Sequence, residues 1–206
     1  MINQNMARRG LMGAGNGGDP YEIARQILSR TITEYIDPDL TTLGNSCFRN
    51  AKNLVSLQVH GVTSLDGSCL ESTKVVSLAF PNMPSWTTGI GSIGALDHLD
   101  LGPNISAIGS NTLPFPNLKH LVLRRDSAVV GTSASAMNQS SMKSGGSGCT
   151  VYIPKALYDH LGDGTSLDYK ANSTWATYDG YGTITWAKIE GSIYETQYAD
   201  GTPIPV

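Results

Sequence analysis

Apolar residues between Thr42 and Leu123 recur at a fixed interval. Leu57, Leu78, Leu99 and Leu121 are spaced by 21, 21 and 22 residues (78−57, 99−78, 121−99). Leu54, Val75, Leu96 and Leu118 repeat those steps three residues earlier, and Val59, Phe80, Leu101 and Leu123 repeat them two residues later. A fourth column, Leu43, Leu65, Trp86 and Ile108, runs at 22, 21 and 22 (65−43, 86−65, 108−86). The last two apolar residues of each unit lie two apart, so they share one face of a strand. The opposite face collects Ser56, Gln58 and His60, then Ser77 and Ala79, then His98 and Asp100, then His120, Val122 and Arg124. A unit this short cannot bury its apolar face alone. Neighbours must stack, with successive strands parallel and about 4.8 Å apart. The remainder of each unit, "LGNSCFRNAKN" in the first, is rich in small and polar residues and turns the chain back without a long helix.

The flanks read differently. Residues 1–18 are Gly- and Asn-rich, with no apolar period, and are expected as a flexible arm. Asp19-Pro20 then supplies an N-cap followed by Pro at the first helical position. Ile23, Ala24, Ile27 and Leu28 make one stripe, so 19–31 is expected as a short amphipathic helix capping the first unit. The repeat occupies 32–123, and 124–148 reads as a Ser/Gly-rich loop. Residues 149–195 return to strand pattern and form a cap, with one or two helical turns at "KALYDHL" and a hairpin at Asp179-Gly180. The tail, 196–206, reads as extended or loose.

The units also carry a more specific pattern. "TTLGNSCFRNAKNLVSLQV" and "SAIGSNTLPFPNLKHLVL" resemble the BspA-like, or Treponema-type, leucine-rich repeat, which writes Ile/Leu-Gly, a small residue and Phe, then L-x-x-L-x-L. Leu43-Gly44 with Cys47-Phe48 matches well; Ile108-Gly109 with Thr112-Leu113 matches less well; "SWTTGIGSIGA" departs. The segment "TVYIPKALYDHL…STWATY…WAKIEGSIYE" is similar to the closing segment of such proteins in gut bacteria and their phages, so the resemblance covers roughly Ile32 to Glu195. It implies an α/β-type leucine-rich-repeat solenoid: a parallel β ladder with short turns, an N-terminal capping helix and a C-terminal β-rich cap. It implies a non-enzymatic binding or structural module, placed on a phage virion as a tail, fibre or capsid appendage. The alternative is a bacterial interaction or adhesion protein with no virion role. The partners implied are virion or other protein subunits through the arm, a host surface protein or glycan, and a second copy of the chain. The localisation implied is the virion, after synthesis in a host cytoplasm; otherwise the chain is cytoplasmic or released.

Composition narrows the chemistry. Charged residues are 15% of the chain, Gly contributes 23 residues, and the net charge is −3. No basic stripe invites nucleic acid, and no apolar run suggests a signal peptide or a membrane helix. Cys47 and Cys69 share one slot of adjacent units and read as reduced, buried thiols. Gly13 to Gly18 satisfies G-x-G-x-x-G but lacks the strand before it that a dinucleotide site requires. His98, His120 and Asp100 share one outward face, one ligand short of a tetrahedral set, and read as a solvated row. Trp175, Tyr178, Tyr181 and Trp186 read as closing the end of the core. No catalytic group, metal or cofactor is assigned. The candidate binding surface is the exposed strand face of Ser56, Gln58, His60, Ser77, His98, Asp100, His120 and Arg124.

Overall fold

The computed structural model describes residues 27–109, 112–128, 130–131 and 140–205. The 1–18 arm, its Gly-rich motif and most of the expected 19–31 helix lie outside that range. Residues 27–29 are helical and Ile27 packs on the core, but Leu28 faces solvent instead of joining the apolar stripe.

In chain order the strands are β1 (Glu34–Ile36), β2 (Thr42–Leu43), β3 (Ser56–Gln58), β4 (Ser64–Leu65), β5 (Ser77–Phe80), β6 (His98–Leu101), β7 (Ala107–Ile108), β8 (His120–Leu123), β9 (Val130–Gly131), β10 (Cys149–Ile153) and β11 (Ile184–Lys188). The longer strands form a parallel sheet in the order β11-β10-β8-β6-β5, and β1 pairs in parallel with β3. Register follows the repeat: Leu78 lies opposite Leu99, Leu99 opposite Leu121, and Leu121 opposite Val151. This parallel sheet with few helices places the chain in the α/β class.

The units also contribute to two further rows. One consists of two-residue parallel pairings, β2 with β4 and β7 with β9, with a bridge from Trp86 to Ile108 between them. The other is built from turns. Ser46, Phe48 and Asn50 donate their amides to the carbonyls of Gly67, Cys69 and Glu71 at 3.2, 2.9 and 2.8 Å. Ser68, Leu70 and Ser72 donate in turn to Gly89, Ile90 and Ser92. The positive φ values recur at the same slots of the two turns: Ser46 57° and Ser68 56°, Asn50 62° and Ser72 62°. Non-Gly residues are uncommon in that region, and these four slots hold no β-branched or bulky side chain.

All four apolar columns are buried in one continuous cluster running from Ile32 to Tyr178. Cys47 and Cys69 lie inside it unbridged, with Cys47 Sγ 3.8 Å from the Cys69 carbonyl. Burial pushes the Cys47 thiol up to about 12. Gly102, just after β6, allows a close backbone approach: a Cβ there would sit 1.9 Å from the Pro81 carbonyl oxygen.

The flanking segments depart from expectation in two places. The 124–148 stretch is more than a loop, since it supplies β9, and Ser140, Ser141 and Met142 are buried. The Ser141 hydroxyl donates to the Leu118 carbonyl, tying the insertion to the core. In the cap, α1 (Lys155–Tyr158) matches the expected helical turns. The hairpin at Asp179-Gly180 does not form. Those residues end α2 (Ser173–Gly180), whose N-cap Asn172 accepts from the Thr174 amide at 3.1 Å. β11 then pairs in parallel with β10, so the cap extends the sheet instead of closing it with an antiparallel pair. Trp175 and Tyr178 are buried and Trp186 is partly so; Tyr169 joins Trp175 and Trp186 at centroid distances of 5.4 Å each, while Tyr181 stays exposed.

Candidate binding face

The strand face opposite the core was expected to meet water. Over β6 and β8 it meets the chain itself. Residues 189–204 leave β11, bend through Gly191 at φ 80° and a 3-10 turn (Ile193–Glu195), and cross that face. The tail within this strap is ordered. Tyr198 donates its amide to the Thr202 carbonyl at 2.8 Å, Ile204 donates to Thr196 at 3.0 Å, and Gln197 bridges Pro203 antiparallel around Gly201 at φ 83°. The expected boundary at 195/196 therefore runs through a single structural unit.

The central contact is ionic and dry. Asp100 is 1% exposed. Its Oδ1 accepts from Arg124 Nε at 2.8 Å and its Oδ2 from Arg124 Nη2 at 2.7 Å. The same guanidinium donates to the strap carbonyls of Tyr194 at 2.8 Å and Gln197 at 3.0 Å, and it lies over the Tyr198 ring at 5.2 Å. Oδ2 also accepts the Ala199 amide at 3.1 Å. Burial raises the Asp100 carboxyl above its ordinary range, against the pull of Arg124. Asp100 and Arg124 are thus not exposed-face residues. Outward Ala79 and Val122 leave an apolar strip beside them, and Val122, Ile189 and Tyr194 form a second small core over it.

Two histidine sites flank this pair. His60 meets Asp200 at 2.7 Å and the Tyr198 ring at 4.8 Å. Burial alone would raise the Asp200 carboxyl, yet the hydrogen bonds from His60 and the Thr202 amide hold it below the usual range. His98 and His120 stack at 4.4 Å with 17° between planes, Asp97 bonds His98 Nδ1, and Tyr194 lies 6.3 Å from His120. His120 Nδ1 is buried without a hydrogen-bond partner. Burial, and then the neighbouring His98, lower its basicity. Asp100 turns away from this pair toward Arg124, so the three side chains do not converge. Ser56, Gln58 and Ser77 are half-buried on the same face; Ser56 donates to Glu34 Oε1 at 3.3 Å.

Sequence reasoning missed Tyr194, Gln197, Tyr198, Ala199 and Asp200. A signal was present in the face itself: Val122 and Ala79 are poor outward residues for a solvated sheet, and a carboxylate and a guanidinium beside them invite a cover. No family model and no curated protein matches this chain.

Away from this face, Thr63, Ser64, Leu65, Ser85, Trp86, Thr87 and Thr88 line a cleft of ≈ 140 Å³ beside β4. Trp86 Nε1 is already engaged there by the Thr88 carbonyl at 2.8 Å.

Proposed function

We propose that the chain is a leucine-rich-repeat solenoid acting as a non-enzymatic binding and structural module, mounted on a phage particle. The solenoid reading is supported by three rows of contacts that advance together by 20 to 22 residues per unit. The binding role is carried by one observation: the face of β6 and β8 already seats a polypeptide segment through Arg124 and Asp100. A surface that recognises backbone carbonyls and an amide is built for polypeptide. His60, Asp100 and Asp200 are spent on these contacts, and His98 is held by Asp97.

The particle setting follows from the resemblance of the repeat and closing segments. In it the 1–18 arm joins virion subunits, and the array presents its surface to a host protein or glycan. Mass spectrometry of virions purified from the source culture tests this: peptides of the chain should be present at a fixed ratio to the major capsid protein. Their presence in the lysate but not in washed particles would refute the virion role and leave the bacterial interaction protein.

A further inference from the structure

We infer that the strand face of β6 and β8 is a peptide-recognition site, that residues 189–204 are its resident occupant, and that it accepts in trans a peptide that takes up the same turn-and-loop conformation and carries a tyrosine and, six residues later (200−194), an aspartate. This deepens the binding role proposed above and rests on it.

Three features support it. First, the receptor half is complete without the strap. The Arg124–Asp100 pair lies within the face, joining β6 to the residue after β8 by two hydrogen bonds of 2.8 and 2.7 Å. When the strap leaves, these two groups still hold each other in position, with Arg124 donors and an Asp100 lone pair free for another backbone. Pre-organisation of this kind lowers the cost of binding.

Second, recognition divides into a tolerant centre and two selective ends. At the centre, Arg124 reads the carbonyls of Tyr194 and Gln197, and Asp100 reads the Ala199 amide. They are backbone groups, so any chain that takes up the same turn offers them. At one end the Tyr194 ring sits 4.7 Å from Tyr152 and packs with Val122. At the other end His60 meets the Asp200 carboxylate, and the Tyr198 ring lies between His60 and Arg124. These contacts select an aromatic residue at the first position, an acid at the seventh, and favour an aromatic at the fifth.

Third, the strap is separable. The Ile189 amide stays with β10 by donating to the Ile153 carbonyl at 2.9 Å; beyond it the strap's backbone hydrogen bonds close on itself, as Tyr198 to Thr202 and Ile204 to Thr196, while its polar contacts to the face run through the side chains of Asp100, Arg124 and His60. Undocking therefore breaks none of the parallel pairings of β5, β6, β8 and β10. Glu190, Gly191 and Ser192 form the joint, with Gly191 in the left-handed region.

A tethered occupant competes at an effective concentration of about a millimolar. The test therefore compares full-length protein with a full-length Tyr194→Ala/Asp200→Ala variant whose own strap is weakened. The probe is a fluorescein-labelled synthetic peptide spanning residues 192–204, followed by anisotropy. The peptide should bind the variant at least about tenfold more tightly than the unmodified chain, because intramolecular competition is relieved. A peptide carrying the same two alanines should lose binding, and His60→Ala added to the variant should weaken it. Equal affinity for both proteins, or for a scrambled peptide, would overturn the inference. So would no binding to a variant that keeps its β-sheet circular dichroism. Should the variant not fold, hydrogen exchange on the unmodified chain decides: the Ala199 amide should exchange much faster than that of Leu99, through strap opening alone. Exchange of both only at the rate of global unfolding would make the strap a permanent part of the fold. Either failure would leave the particle test above unaffected.

Discussion

Replacing Asp100 with alanine should be among the most damaging substitutions in the protein. Asp100 is 1% exposed and the Arg124 side chain only 12%. Removing the carboxylate strips Arg124 of two of its four hydrogen bonds and leaves its charge buried with only the Tyr194 and Gln197 carbonyls. The Ala199 amide loses its acceptor as well. Breaking one side of a buried pair costs about 3–5 kcal/mol. Undocking the strap offers partial relief by exposing the guanidinium to water, which places the expected value near the lower end, about 3 kcal/mol. Two comparisons isolate the cause. Asp100→Ala with Arg124→Ala should cost less than the sum of the single changes by about 1–3 kcal/mol, since no lone charge remains. Glu71→Ala, which breaks the exposed 2.8 Å pair with Arg49, should cost less than about 1 kcal/mol. Urea unfolding followed by tryptophan fluorescence measures all four, with buried Trp86 and Trp175 as reporters. If Asp100→Ala costs no more than Glu71→Ala, the pair is solvated and the strap does not cover it.

Other substitutions probe other parts of the fold. Leu99→Ala empties a fully buried site between Leu78 and Leu121 and should cost about 2–5 kcal/mol in the same assay; a cost below about 1 kcal/mol would mean the ladder is not packed there. Gly102→Ala drives a methyl into the Pro81 carbonyl and should destabilise by about 1–3 kcal/mol, with Gly94→Ala, where open space surrounds the added carbon, as the mild control. His120 takes up a proton less readily folded than unfolded, because burial and then His98 disfavour its imidazolium, with Asp97 opposing and Lys119 assisting. Its contribution to stability is therefore complete above the ordinary imidazole range and is lost as pH falls through that range. His120→Gln should flatten the decline in stability on acidification; an unchanged slope would show that His120 does not set it.

The repeat was legible because burial in this fold is set by position within a unit. Every residue of the four columns is buried, and the period alone located them. The third unit, whose "SWTTGIGSIGA" departs from the pattern, keeps its slot through a Trp86–Ile108 bridge in place of a two-residue strand. Two Asp-Gly pairs show where local reading ends. Asp179-Gly180 looks like a hairpin tip between alternating residues, but Asn172 caps a helix that runs through it. Asp200-Gly201 lies in a stretch that reads as loose, yet Gly201 at φ 83° closes a real antiparallel loop. The same dipeptide differs in outcome because the first follows an N-cap and the second is held by His60, 140 positions away. The strap was invisible for that reason: it is specified by pairings between distant residues, and no interval in the sequence announces them.

The strap also bears on how this array can change in length. The three side chains that grip it, His60, Asp100 and Arg124, belong to different units, so their spacing is counted in strands. A tandem duplication of 21 residues between β5 and β6 would preserve every column and every turn, yet it would carry His60 about 4.8 Å further from Asp100. The strap would then fall one strand short of its last anchor. Units added before β3 would meet no such obstacle. The crossing segment works as a ruler: growth by duplication is open toward the first unit and closed over the stretch the ruler spans.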